Sequence, residues 1–290
     1  MSFAVLNKWV VAMCLAGLTV SVGATDLAAA STAATTVASP VGAAAAAPAT
    51  LATPPVAGKG VTPAAEKTVR QAVATLSAKA EIDAIELSPL PGFYQVIAAG
   101  QMLYVSADGK YLLNGELLDL ATKHNVSSAA WAAFRKAQLA KVPASQRIVF
   151  APAHPKITIS VFTDVNCGFC RALHEHIAEF NKAGIAVEYL AWPREGVVTT
   201  AARPTATYTE MVSVWCAADR KAAFSAATAG HAPPAATCTN PVKEQFELGL
   251  KLGLTGTPTI YGPDGRTLGG YVTAAQLLEE IKQGTDATGG

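Results

Sequence analysis

The chain has 290 residues, of which 22 are basic and 21 acidic, so its formal net charge is only +1. Such a balance gives no overall field that would favour binding to nucleic acid or to an anionic membrane surface. Hydrophobic residues make up 51% of the chain, which is enough for one large core or two smaller ones.

The first 24 residues have the pattern of a secretory signal peptide. Lys8 precedes an apolar run, which ends in the small-residue cleavage site Val22-Gly23-Ala24. The run is shorter than the ~20 residues that a membrane-spanning helix needs. We therefore predict that residues 1–24 are cleaved and that Cys14 leaves with them. Acylation of Cys14 is disfavoured because Met13 stands where a small residue is expected, and an uncleaved anchor is the remaining alternative.

Removal of the signal leaves four cysteines, Cys167, Cys170, Cys216 and Cys238. An even number in an exported chain favours disulfide chemistry over zinc binding. The predicted location is a bacterial periplasm.

Residues 25–60 consist almost entirely of Ala, Thr, Ser, Pro, Gly and Val. A segment without large side chains cannot bury enough surface to offset the entropy of folding. We predict a disordered tether.

Residues 61–122 are predicted to form a small α+β domain. Thr62-Pro63 has the pattern of a helix start, and Val69, Val73 and Leu76 would share one face of that helix. A core of about 60 residues is marginal by itself, so we expect oligomerisation through a sheet edge. The predicted strands are Phe93 to Ile97, Met102 to Val105 and Tyr111 to Leu113, with a turn at Asp108-Gly109 and a further apolar segment from Leu117 to Leu120.

Residues 123–145 are predicted to form a linker helix. Helix formers run from Asn125 to Lys141, and Pro143 closes the segment. The apolar stripe is narrow, which is typical of a helix that connects two domains. Trp131 could serve as a ligand platform, but packing is the favoured interpretation.

Residues 146–290 contain the most informative motif. A β-branched run ends at Cys167-Gly168-Phe169-Cys170, and an apolar-periodic helix to about Ala183 follows it. Strand, Cys-x-x-Cys and helix form the thioredoxin-type redox pattern. A cysteine at a helix N-terminus is stabilised as thiolate by unpaired N–H groups and the helix dipole. Cys167 is therefore the predicted nucleophile, and Cys170 the predicted resolving thiol.

The remaining segments complete an α/β domain with a helical insertion. Ile185 to Trp192 is predicted to be a buried strand parallel to the first, which gives a βαβ unit. A mostly helical stretch from Pro193 to Leu252 is too long for a plain connection. A hairpin from Thr259 to Gly269 and a last helix from Thr273 to Ile281 follow.

Other constellations around the cysteines have weaker support. Cys216 and Cys238 lie 22 positions apart, which favours a structural disulfide, with a second redox-active pair as the minor alternative. A zinc site would need two further convergent ligands, and no metal or other cofactor is predicted. Covalent haem is excluded because Arg171 follows Cys170. His174 is either a contributor to the potential near the thiolate or a helix-surface histidine.

With these motifs in this order, the chain resembles the DsbC/DsbG family of periplasmic thiol:disulfide interchange proteins. Within that family it is most similar to the DsbC branch. The resemblance covers nearly all of the chain beyond the tether. The residues that carry it are Asp108-Gly109-Lys110, Phe162-Thr163-Asp164, Cys167-Gly168-Phe169-Cys170, Leu173-His174-Glu175, Tyr189-Leu190-Ala191, Pro193-Arg194, Trp215-Cys216-Ala217 and Gly256-Thr257-Pro258.

The resemblance implies a homodimer formed by the N-terminal domains, with two thioredoxin-like domains that face one cleft. It implies a structural disulfide between Cys216 and Cys238. It implies that Pro258 is a cis-proline beside the reactive cysteines and that Thr257 pairs with substrate. Gly168, Phe169 and His174 are candidate modulators. A DsbD-type membrane reductase is the implied partner, with misoxidised exported proteins as substrates.

The predicted activity is protein disulfide isomerisation. Phe169 stands where DsbC usually has tyrosine, so the redox poise could differ. The alternatives are a dithiol oxidase, a DsbG-like reductase of sulfenylated cysteines, and a holding chaperone in which the dithiol matters little.

Overall fold

The structure, a computed structural model, describes residues 58–286. The predicted signal peptide, 1–24, and nearly all of the predicted tether, 25–60, lie outside the described residues. The elements in chain order are α1 Pro63–Leu76, β1 Ile82–Leu87, β2 Phe93–Ala98, β3 Gln101–Ser106, β4 Leu112–Asn114, α2 Val126–Leu139, β5 Ile148–Phe150, β6 Ile157–Thr163, α3 Gly168–Glu175, α4 Ile177–Lys182, β7 Ile185–Ala191, α5 Ala206–Trp215, α6 Arg220–Thr228, α7 Val242–Lys251, β8 Thr259–Tyr261 and α8 Ala274–Asp286.

The N-terminal part is an antiparallel sheet in the order β1-β2-β3-β4, packed against α1. The Thr62 side chain caps α1, as its place before Pro63 predicts. Val69 and Val73 are buried, but Leu76 is 68% exposed. The prediction that Leu76 belongs to the buried face of α1 is therefore wrong. The spacing of apolar residues predicts which side of a helix faces the sheet, but it does not predict how many turns of the helix the sheet covers.

Strand β1 was not predicted from the sequence. Its residues Asp83 and Glu86 interrupt any apolar pattern, and Ile85 is its only fully buried side chain. The strand is an edge of the sheet and pairs only with β2. An edge strand needs fewer apolar side chains than a central one, which explains the weak signal.

The predicted linker helix is α2, and it packs against both halves of the described chain. Asn125 caps it by accepting from the Ser128 N–H. The Arg135 guanidinium lies over the rings of Trp131 and Tyr261, at 4.6 and 5.2 Å. It also donates to the Leu252 carbonyl at 3.2 Å. Trp131 is thus a packing residue in this structure.

The second sheet has the order β5-β7-β6-β8, in which β6 and β7 are parallel and the outer strands are antiparallel to their neighbours. The parallel pair confirms the predicted βαβ unit. The predicted single helix to Ala183 is wrong, because the backbone leaves helical geometry at His176 and separates α3 from α4. Strand β5 has only three residues, too few for a periodic signal.

The insertion contains α5, α6 and α7, which pack beside the second sheet. A disulfide joins Cys216, which ends α5, to Cys238 in the irregular stretch before α7. In residues 58–286, no helix is long and apolar enough to cross a membrane.

Candidate active site

The two cysteines of the dithiol follow shortly after the end of strand β6. Cys167 is the N-cap residue of α3, and its backbone N–H donates to the Asp164 carbonyl at 3.0 Å. Cys170 lies one turn inside the same helix. Both thiols are free and buried. Gly168 begins the helix, and a Cβ atom there would meet no atom within 4 Å.

The loop around the cis Thr257–Pro258 peptide bond lies against Cys167. The Cys167 thiol donates to the Thr257 carbonyl oxygen at 3.2 Å. The structure therefore brings together four of the residues singled out from the sequence, Cys167, Cys170, Thr257 and Pro258. Their roles in catalysis and substrate binding remain predictions.

The two thiols have opposite pKa shifts. Burial by itself would raise the pKa of Cys167, but the Thr257 side chain, the Cys170 backbone N–H and the positive charge of Arg194 hold that pKa below its ordinary value. Burial raises the pKa of Cys170 to about 12. Ionisation is thus easier at Cys167 than at Cys170, which is the difference that a nucleophile and a resolving thiol need.

Two arginines donate hydrogen bonds to the loop that precedes Cys167. Arg194 pairs with the buried Asp164 carboxylate at 3.2 Å and donates to the Asn166 carbonyl at 3.2 Å. Arg171 donates to the Val165 carbonyl at 2.7 Å. Sequence reasoning assigned Arg194 no role, because its nearness to Cys167 depends on the parallel pairing of β6 and β7.

An exposed aromatic pair lies next to the dithiol. Phe169 is 66% exposed and stacks on Tyr271, with ring centroids 6.4 Å apart. The two rings line a depression of about 310 Å³ together with Thr257, Pro258 and Gly270. Tyr271 was missed from the sequence, where its only signal was an aromatic residue after Gly269-Gly270.

His174 is buried, so the helix-surface interpretation is wrong. Its Nδ1 lies 3.2 Å from the Tyr189 hydroxyl and its Nε2 lies 2.8 Å from the Ser225 hydroxyl. The rings of Phe150 and Phe224 pack edge-on against it. Burial lowers the pKa of His174 to about 4, so at neutral pH the ring is uncharged and adds no positive charge near Cys167.

The burial of His174 predicts that the fold loses stability in acid. In the unfolded chain the histidine has a pKa near 6.5, and in the folded chain about 4. Between these values the unfolded state binds a proton that the folded state does not, so stability falls as the pH drops below 6.5. From pH 7 to pH 5 we expect a loss of about 2 kcal/mol from this group.

Urea unfolding at both pH values measures this loss. The His174→Gln variant should lose about 2 kcal/mol less than the parent between pH 7 and pH 5. The matched control is His176→Gln, since the His176 side chain is 44% exposed and its Nδ1 lies 3.0 Å from the Glu179 carboxylate. Equal pH dependence in the parent and the His174 variant would contradict the assignment.

Two family models match the chain. A model described as the disulfide bond isomerase protein N-terminal domain matches residues 43–128, and a thioredoxin-like domain matches residues 144–285. The chain is 34% identical over 219 residues to the thiol:disulfide interchange protein DsbC of Dickeya dadantii, covering 76% of this chain and 87% of that protein. It is 31% identical over 233 residues to the protein of the same name from Escherichia coli K12, covering 80% and 93%. A crystal structure of a disulfide interchange protein from Neisseria gonorrhoeae matches 49% of this chain and 97% of that chain, with 28% identity and a TM-score of 0.41.

Proposed function

The chain belongs to the DsbC family of thiol:disulfide interchange proteins and is a thiol:disulfide isomerase that acts on protein substrates; from this premise we propose how its residues perform the reaction. The supporting observation is the opposite pKa shift of two free thiols that share one helix N-terminus. Cys167 is the nucleophile, and Cys170 is the resolving thiol.

The reaction begins when the Cys167 thiolate attacks a non-native disulfide of the substrate. One substrate sulfur leaves as a thiolate, and the other remains bound to Cys167 as a mixed disulfide. When a second substrate thiolate attacks that sulfur, Cys167 is released and the substrate has exchanged one disulfide for another. Electrons are conserved, because no net oxidation or reduction has occurred.

Substrate binding is assigned to the cis-proline loop and the aromatic pair. The backbone of Thr257 pairs with an extended substrate segment, as an added strand pairs with a sheet edge. Pro258 forms part of the apolar depression that Phe169 and Tyr271 border. An apolar substrate side chain beside the attacked cysteine occupies this depression.

The proposed resting state is a reduced dithiol in the periplasm. The isomerase cycle needs a Cys167 thiolate at its start, so a DsbD-type membrane reductase must return any oxidised enzyme to the dithiol. Trapping of free thiols in intact cells tests this state. Cys167 and Cys170 should be alkylated by the trapping reagent, and should become protected in cells that lack the reductase. A pair that is protected in normal cells would contradict the proposal.

The proposed assembly is a homodimer through the β4 edge. This strand pairs on one side only with β3, and it leaves backbone groups free to pair with a second copy. Leu113, Leu118 and Leu120 are 47%, 50% and 83% exposed along this edge and the segment after it. Burial of these side chains would favour association.

Sedimentation of the mature protein at micromolar concentration tests the assembly. The parent should sediment as a dimer. A Leu118→Lys, Leu120→Lys variant should sediment largely as a monomer, because buried unpaired charges oppose association. Leu76→Lys is the control, since Leu76 is an exposed leucine on α1. A monomeric parent would refute the dimer.

A further inference from the structure

The carboxylate of Asp164 is buried directly after β6, and no step of the proposed reaction uses it. The residue is 1% exposed, and its backbone carbonyl accepts from the Cys167 N–H at 3.0 Å. Both carboxylate oxygens accept hydrogen bonds. One accepts from the Asn166 backbone N–H at 2.7 Å, and the other accepts from the backbone N–H and the Nε of Arg194 at 2.8 and 3.2 Å. These partners offset the cost of burying the charge.

Arg194 connects this carboxylate to the peptide group in front of the nucleophile. Its Nε and backbone N–H bind Asp164, while its Nη2 donates to the Asn166 carbonyl at 3.2 Å. The carbon of that carbonyl is bonded to the backbone nitrogen of Cys167, so the guanidinium lies one peptide group away from the backbone of the nucleophile. Arginine suits this place because its planar fork can contact a carboxylate and a carbonyl at the same time.

The other charged groups at this loop meet at the side chain of Asn166. Its amide oxygen accepts from Arg171 on α3 at 2.9 Å, and its amide nitrogen donates to Glu210 on α5 at 2.8 Å. Glu195 accepts from the Thr207 hydroxyl, also on α5, at 3.2 Å. Arg171 and Glu210 have opposite charges at one amide, so their effects on a neighbouring thiolate oppose each other.

We propose that Asp164 is a positioning residue, which holds the Arg194 guanidinium at the peptide group before Cys167, where its positive charge stabilises the Cys167 thiolate. The inference rests on the proposed function, in which that thiolate attacks the substrate disulfide. The direction of the pKa shift agrees with it. Burial by itself would raise the pKa of Cys167, and the Arg194 charge acts with donors from Thr257 and Cys170 to hold that pKa below its ordinary value.

The Asp164→Asn variant separates positioning from the direct effect of a carboxylate. A carboxylate that acted directly would disfavour a nearby thiolate, so its removal would make Cys167 ionise more readily. Asparagine has one accepting oxygen and one donating nitrogen, and so it cannot accept from both the Asn166 N–H and Arg194. The guanidinium is then no longer held in place, and Cys167 should ionise less readily although a negative charge has been removed.

The rate of Cys167 alkylation by iodoacetamide, measured against pH, reports the ionisation of this thiol because the thiolate is the reacting form. Every protein in the series carries Cys170→Ala, so Cys167 is the one free thiol within residues 58–286. Arg194→Gln and Asp164→Asn should each raise the midpoint of the profile by about 0.5 to 1 pH unit. The shift is modest because the Arg194 side chain is 46% exposed.

Two comparisons make the test specific. In the Arg194→Gln background, Asp164→Asn should no longer raise the midpoint, because the group through which Asp164 acts is absent. Arg70→Gln is the matched control. Arg70 is 39% exposed and also pairs with a carboxylate, that of Glu66, but it lies on α1 in the N-terminal domain, so the midpoint should stay in place.

An unmoved midpoint in Arg194→Gln would overturn the inference, as would a lower midpoint in Asp164→Asn. A rise caused by Asp164→Asn that persists in the Arg194→Gln background would also overturn it. If Asp164→Asn does not fold, Arg194→Gln still decides, since an unmoved midpoint there contradicts the role of the guanidinium. Rearrangement of a scrambled protein by the parent is assayed separately, and its absence would refute the proposed function without changing the alkylation comparison.

Discussion

Replacement of Cys167 by alanine is expected to abolish disulfide rearrangement, leaving only uncatalysed exchange. Cys167 is the thiol whose pKa lies below its ordinary value, whereas burial holds Cys170 as a thiol with a pKa of about 12. Cys170 therefore cannot replace the missing nucleophile at neutral pH. Recovery of activity by a scrambled protein with several disulfides measures the loss.

Cys170→Ala is the matched control for this variant. It retains the Cys167 thiolate and can still form a mixed disulfide, so it should isomerise substrates that resolve through their own thiols. It should also accumulate covalent complexes with substrates that cannot. If Cys167→Ala refolds the scrambled protein as well as the parent does, the assignment of Cys167 is wrong, and a holding function would account for the assistance.

Removal of the Cys216–Cys238 disulfide is expected to lower the free energy of unfolding by about 3 kcal/mol. The two cysteines are 22 positions apart, and the bond closes a loop that contains α6. Opening that loop increases the conformational freedom of the unfolded chain more than that of the folded one. The paired change Cys216→Ser, Cys238→Ser avoids leaving one unpaired thiol.

Urea unfolding measures this loss, with both reactive cysteines replaced by alanine in the parent and in the variant so that thiol exchange cannot intervene. Disulfide rearrangement is then assayed at low temperature in proteins that keep Cys167 and Cys170. A structural bond predicts activity close to that of the parent while the variant remains folded. Loss of turnover in a folded variant would show that the second pair takes part in electron transfer.

The parts of the fold that the sequence predicted are those with a local physical signal. The β-branched strand before Cys167, the capped helix after Thr62 and the linker helix after Asn125 all have such signals, and the structure contains them. The edge strand β1 was missed because pairing on one side demands little apolar pattern, and β5 was missed because three residues are too few for a periodic signal. The break at His176 was missed because helix formers continue through it.

The residues of the candidate site likewise differ in whether a local signal in the sequence identifies them. Cys167, Cys170 and the cis-proline loop could be selected from motifs in the sequence. Arg194 and Tyr271 acquire their relation to the dithiol only through the packing of β6, β7 and the segment after β8. His174 was noticed for its place near the cysteines, but its burial among aromatic rings depends on α6 and β7, which lie far from it in sequence.

The most direct test of isomerisation follows both the activity and the free thiols of one substrate. Reduced enzyme is added in catalytic amount to a scrambled protein whose non-native form contains a known number of disulfides and at least one free thiol. The account predicts that native activity returns while the number of substrate thiols stays constant. Recovery accompanied by a steady loss or gain of substrate thiols would show an oxidase or a reductase and would contradict isomerisation.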